Sequence, residues 1–290
     1  DGFVQHSYSL AVASSEEKLS SPDIWCSGTV TSSVPFARME DTGLMVSDHE
    51  YFWQVTAWNA DSTKVLVSEP AKFRTALMGR TDWKAVWVTD SHDKDFEAAP
   101  MFRKEFDAGQ DVVSARVYMS ACAYAEVRLN GEPVSDAFLD PGYTHYDKRN
   151  LYTVTDVTGK VRSGENVISA VLGNGFYNEI KPVATWNFEN ARWRGRARFI
   201  LELHVTHADG TTSVIASDKT GKTTADGPYI SNNIYSGDTY DARKEIAGWY
   251  ETGFDDSSWS TAREVPDPSP LLVAQKMPQI RPTEEIEPVA

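Results

Sequence analysis

The sequence is short of cysteine, of clustered basic residues, of long apolar runs and of helical periodicity, and each shortage removes a class of protein. Only Cys26 and Cys122 occur, far apart, so neither a disulfide framework nor a CxxC metal knuckle is available. Both read as small buried hydrophobes. Lys and Arg number 28 against 42 Asp and Glu, a net charge of −14. A surface of that sign repels nucleic-acid phosphates and an anionic membrane alike, so neither is an expected partner. No apolar run reaches the length of a spanning helix. Neutral ligands and hard cations such as Ca2+ remain compatible with the charge. The chain opens at Asp1 rather than Met, so a missing leader carries no weight and no compartment is legible.

What is present is period-two alternation. Across 116–130, Val117, Met119, Ala121, Ala123, Ala125, Val127 and Leu129 form one small apolar face, and Tyr118, Cys122, Tyr124, Glu126 and Arg128 form the other. Across 198–206, Phe199, Leu201, Leu203 and Val205 point inward, and Asp209-Gly210 then turns the chain into a partner strand at 212–216. Asn130-Gly131 is a second turn of this kind, joining 126–129 to 133–139. Short strands between turn signals predict sandwiches rather than βαβ units. The one helical candidate is 15–19, behind Ser14 and Ser15 as caps.

At 290 residues the chain is long enough for two domains. Strand patterning pauses near 76–82, which places a first domain at 1–78 and a second at 79–265. Prolines 266, 268, 270, 278, 282 and 288 make 266–290 read as an extended connector.

Two sets of motifs carry a resemblance. Residues 6–14 (HSYSLAVAS), 25–28 (WCSG), 51–59 (YFWQVTAWN) and 68–75 (SEPAKFRT) resemble a fibronectin type III-like module lacking its first strand. Residues 115–118 (ARVY), 124–131 (YAEVRLNG), 139–149 (LDPGYTHYDKR), 172–177 (LGNGFY), 237–243 (GDTYDAR) and 278–285 (PQIRPTEE) resemble the jelly-roll domain near the start of bacterial α-L-rhamnosidases, glycoside hydrolase family 78. The resemblance implies an all-β chain: a fibronectin type III-like β-sandwich followed by a jelly-roll (galactose-binding-like) β-sandwich. Downstream of these, the family carries an (α/α)6 barrel.

Glycoside hydrolysis needs two carboxylates straddling the scissile bond. Among 42 acidic residues a pair is easily found, and Asp255-Asp256 reads as a surface turn. By the resemblance the catalytic carboxylates belong to the barrel, so no catalytic residue is assigned and this polypeptide alone is expected to be inactive. The implied role is an accessory domain partnered by its own downstream catalytic domain, with L-rhamnose or a rhamnose-containing glycan as ligand and Ca2+ as a compatible cofactor. Candidate sugar-binding residues are Glu126, Asn174, Tyr177 and Trp186, and candidate calcium ligands are Asn174 and Asp140. Gly173 and Gly175 leave the intervening backbone free, and an amide oxygen suits a hard cation. The bland alternatives are a turn at Gly-Asn-Gly and a cross-strand pair of Glu126 with Arg116 or Arg128. A purely structural scaffold and a cell-surface glycan-binding adhesin are the competing functions.

Overall fold

In the computed structural model most of the period-two segments are strand, whereas the expected strand at 133–139 is reduced to Pro133 and a single bridge at Phe138. It describes residues 3–39, 43–63, 65–179 and 190–288. They divide into two compact units, Asp1–Met78 and Gly79–Ala290. Among the described residues, helical structure is confined to short 3-10 turns.

The first unit contains β1 (Ser7–Ala13), β2 (Trp25–Cys26), β3 (Val30–Thr31), β4 (Glu50–Trp58), β5 (Val65–Val67) and β6 (Ala71–Arg74). They hydrogen-bond in the order β2-β1-β4-β5, with β3 also on β1 and β6 on β4. Val12, Ala13, Leu19 and Tyr51 are buried, and the Tyr51 hydroxyl accepts from the Val46 N–H at 2.8 Å. The helical candidate is a single 3-10 turn, Glu16–Ser20, with Ser15 at its cap position but no side-chain cap bond. Cys26 is exposed, contrary to expectation. It lies in a two-residue edge strand where it alternates with half-buried Trp25, so burial falls to the tryptophan.

The second unit contains β7 (Trp87–Thr89), β8 (Met101–Asp107), β9 (Val112–Cys122), β10 (Tyr124–Leu129), β11 (Glu132–Pro133), β12 (Asn150–Asp156), β13 (Glu165–Gly173) and β14 (Arg198–His207). After these come β15 (Thr212–Ala216), β16 (Lys222–Thr224), β17 (Tyr229–Asn233), β18 (Gly237–Tyr240), β19 (Ser260–Thr261), β20 (Arg263–Val265) and β21 (Leu272–Ala274). One sheet runs β20-β7-β14-β9-β12-β21, with β15 beside β14; the other runs β11-β10-β13-β8-β16-β19; β17 and β18 pair as a separate hairpin. The core between the sheets takes Val117, Met119 and Ala121 from β9, Phe199, Leu201, Leu203 and Val205 from β14, and Ala125, Val127 and Leu129 from β10.

Residues 116–130 are therefore not one strand. A strand of that span would run about 50 Å, too long for one layer of this sandwich. The chain instead leaves the first sheet after Cys122, turns at fully buried Ala123 (φ 105°), and enters the opposite sheet at Tyr124. Alternation survives the crossing, so both halves still face the same core. The 266–290 connector is also partly structured. Leu272–Ala274 adds to β12 as a parallel strand, and Ile280 bridges Phe138. Its prolines flank these pairings rather than interrupting them.

Candidate functional site

Only β11 lies beyond β10 in its sheet, and the turn between them holds Asn130 and Gly131 at φ 52° and 85°, as a type I′ hairpin requires. Because Ala125, Val127 and Leu129 enter the core, Tyr124, Glu126 and Arg128 point outward. On the neighbouring strand Gly173 stands beside Tyr124, and Val171 beside Glu126. Gly175, at φ 48°, follows; a Cβ there would sit 2.9 Å from the Tyr124 ring, so only glycine lets loop and ring meet.

The hairpin β17–β18 is tied to this loop through one asparagine. The Asn174 N–H donates to Asn232 Oδ1 at 2.5 Å, and Asn174 Nδ2 donates to the Asn232 carbonyl at 3.1 Å. Between hairpin, loop and strand runs a groove of about 670 Å3 that wraps β10. Its outward side is polar, lined by Tyr124, Glu126, Arg128, Tyr229, Asn232, Asn233 and Asp238, and Asp140 enters from the loop after β11. Its other side is apolar, with Val117, Met119, Val127 and Val134.

Glu126 is exposed. Among the described residues it takes part in no hydrogen bond or ion pair, and Arg128 donates instead to the Gly131 carbonyl at 3.0 Å. The cross-strand pair is thus not formed, and the carboxylate faces the groove with its lone pairs available. Burial, then the Glu126 and Asp238 charges, raises the Tyr229 phenol above its ordinary value. Burial likewise raises the Asp140 carboxyl, against hydrogen bonds that favour its ionised form, and its Oδ2 accepts from Gln279 Nε2 at 2.9 Å. A groove of carboxylates, amides and phenols suits a neutral, polyhydroxylated ligand and disfavours an anion.

The other sequence candidates fall elsewhere. Asn174 is 2 % exposed, and its amide oxygen accepts from Asn178 Nδ2 at 3.0 Å; the residue organises the groove wall from behind. Tyr177 is buried, T-shaped against Tyr146 at 5.2 Å, with the Arg198 guanidinium over its ring. It offers no open ring face. Trp186 lies outside the described residues. Asn174 and Asp140 do not fit as a calcium pair, since the first has given its oxygen to Asn178 and the second is buried against Gln279. Oxygen chemistry suited to a hard cation sits instead at Asn178, whose buried Oδ1 has no hydrogen-bond partner among the described residues. Beside it is Glu179, 1 % exposed, which accepts from Asn233. Among the described residues no group of three or more His, Cys, Asp or Glu is placed to hold a metal. His204 is bound to Glu202 at 2.7 Å, and His207 to the Gln110 carbonyl and Ser213, so these histidines are no ligand pair.

Asn178, Tyr229, Asn232 and Asn233 are site residues that sequence reasoning missed. The signal was a short Tyr-Ile-Ser-Asn-Asn run before Ser236-Gly237, readable as half a hairpin.

The family model for the α-L-rhamnosidase N-terminal domain matches residues 110–284, and that for the Rha78A-like N-terminal immunoglobulin domain matches residues 1–79. Two proteins named α-L-rhamnosidase from Formosa agariphila are 35 % and 34 % identical, over 99 % and 94 % of this chain but 33 % and 30 % of their own lengths. The structure of α-L-rhamnosidase from Dictyoglumus thermophilum superposes with a TM-score of 0.85 at 34 % identity, covering 99 % of this chain and 33 % of that one. The chain thus spans about a third of the length of the curated relatives it matches.

Proposed function

The chain belongs to the α-L-rhamnosidase N-terminal domain family, and we propose that it serves as the accessory, carbohydrate-binding front end of an enzyme that removes terminal α-L-rhamnose from glycosides. The observation that carries the binding role is Glu126, an outward carboxylate with no hydrogen-bond or ion-pair partner among the described residues, in a groove whose polar side also carries amides, phenols, Arg128 and Asp238. An uncharged sugar is heavily hydrated and gains little from burial alone, so a site for it must offer directional acceptors and donors. Glu126 supplies acceptors, the Tyr229 hydroxyl supplies a donor and an acceptor, and the half-buried Tyr124 ring supplies an apolar face. The scaffold role is compatible with the same fold; the open carboxylate favours binding.

The reading extends to calcium at Asn178 and Glu179 in place of Asn174 and Asp140, and what supports it is the buried Asn178 Oδ1. Both residues are enclosed, so a cation held there would order the 173–179 loop from within instead of meeting a ligand.

Titration calorimetry with L-rhamnose tests the binding role. Wild-type chain should bind, and Glu126→Ala should weaken binding by about ten- to a hundredfold, the loss expected for a charged hydrogen bond. No heat from wild-type chain at millimolar sugar, with and without Ca2+, would leave a scaffold. In a separate melt, millimolar Ca2+ should raise the melting temperature by about 2–4 °C, and Asn178→Ala should remove the increment. An equal shift in both proteins would place the cation elsewhere.

A further inference from the structure

Beyond the groove's polar side, four tyrosines and a phenylalanine converge from four separate stretches of chain. Tyr143 meets Phe176 at 5.0 Å between ring centroids, and Phe176 meets Tyr235 at 5.8 Å, both edge to face. Tyr143 also meets Tyr146 at 5.8 Å. Tyr124, which lines the groove, lies near enough to Tyr143 and Tyr235 for their phenols to interact electrostatically. Aromatic rings packed this way normally close a core, yet Tyr143 and Tyr235 stay 44 % and 41 % exposed. Single exposed aromatics are ordinary, whereas an open set assembled from distant segments marks a contact surface.

The exposed rings of this set carry hydroxyls as well as faces, since Tyr143 and Tyr235 are both phenols open to solvent. Burial, and then neighbouring phenols, raises the pKa of Tyr124 and Tyr143, and a phenol is a protonated donor at neutral pH without any such shift. Ring faces for the C–H side of a pyranose, with phenols for its hydroxyls, are the two halves of sugar recognition.

We infer that Tyr143, Phe176 and Tyr235 form a second subsite, which stacks the ring next to the rhamnosyl unit of an oligosaccharide seated in the groove. This rests on the sugar-binding reading above and extends it: the natural ligand is at least a disaccharide, bound along a line from Glu126 past Tyr124 to Tyr143.

Calorimetry with L-rhamnose and with an α-linked disaccharide of L-rhamnose separates the two readings. Wild-type chain should bind the disaccharide about tenfold more tightly than the monosaccharide. Tyr143→Ala should erase that preference while leaving L-rhamnose affinity unchanged, and Tyr143→Phe should keep it, because stacking survives loss of the hydroxyl. Both substitutions lie at an exposed ring, and circular dichroism checks that the fold is intact. Equal affinity for the two sugars in wild-type chain, or a preference that survives Tyr143→Ala, overturns the second subsite while the groove reading stands. Failure of both sugars to bind removes both readings.

Discussion

Arg103→Ala is expected to destabilise the second unit by about 3–5 kcal/mol, because the guanidinium is buried and its loss unpairs two backbone carbonyls and removes its packing. Arg103 lies on the outward face of β8 yet is 2 % exposed. The segment after β18 folds back over this face and packs Trp249 and Trp259 on Met101. Arg103 bonds that segment to the sheet. Its Nε donates to the Trp249 carbonyl at 3.0 Å, one terminal nitrogen to Asp256, and the other to Glu105 and to the Glu251 carbonyl at 3.0 Å. Its guanidinium carbon lies 5.3 Å from the centre of the Phe254 ring. Alanine would leave the two carbonyls unpaired, while the part-exposed Glu105 and Asp256 carboxylates would turn to water. Urea unfolding followed by tryptophan fluorescence reports the change, since two of the indoles sit in this packet. Arg103→Lys should fall between, because an ammonium keeps the charge but not the planar fork. A loss below about 1 kcal/mol for Arg103→Ala would mean that aromatic packing alone holds the segment.

Asp256 shows where sequence reading stops. Asp255-Asp256 reads as a surface turn, and Asp255 behaves so, accepting from the Ser257 N–H at 3.0 Å. Asp256 is the acid that pairs with Arg103, more than a hundred residues earlier, and nothing local encodes that. Alternation, by contrast, is local physics: the inward set Phe199, Leu201, Leu203 and Val205 enters the core as patterned. The crossing at Ala123 was invisible because the strands on either side keep one period through it, and alanine carries no mark of a positive φ.

The candidate site divides the same way. Glu126 was legible because alternation alone turns it outward, and the groove edge was legible in Asn130-Gly131. Asn174 was singled out for its amide oxygen, but which partner an amide takes depends on what folds against it. Here Asn178 donates to the oxygen, and Asn232, from a distant hairpin, accepts from the side-chain Nδ2 and from the backbone N–H. The aromatic set around Phe176 is assembled entirely by such long-range approach, so its members gave no joint signal along the chain.

Arg196→Ala should cost as much as the loss of Arg103, with a pH dependence that identifies the cause. Asp90 and Arg196 are each 2 % exposed and joined in a fork, Nε to Oδ1 at 2.8 Å and Nη2 to Oδ2 at 2.6 Å. Arg196 also donates to the Phe96 and Ala98 carbonyls, at 2.8 and 2.9 Å, pinning the 90–98 segment beside the first residues of β14. Burial by itself would raise the Asp90 pKa; the hydrogen bonds and charge of Arg196, helped by His92, outweigh it and hold the carboxyl below its ordinary value. A folded pKa below the unfolded value of about 3.9 contributes stability above that pH, and the contribution is lost as pH falls through the folded value. Wild-type chain should therefore hold its melting temperature from neutrality towards pH 4 as far as this pair is concerned, and lose it below. Without Arg196, burial governs, and the folded pKa of Asp90 moves above the unfolded one. Stability from that group is then present only in acid and is lost as pH rises through the folded value. The penalty of Arg196→Ala should thus be largest near pH 7 and shrink towards pH 4. Thermal melts of both proteins across that range measure it. A penalty independent of pH would show that Arg196 acts through its carbonyl bonds and packing rather than through the Asp90 charge.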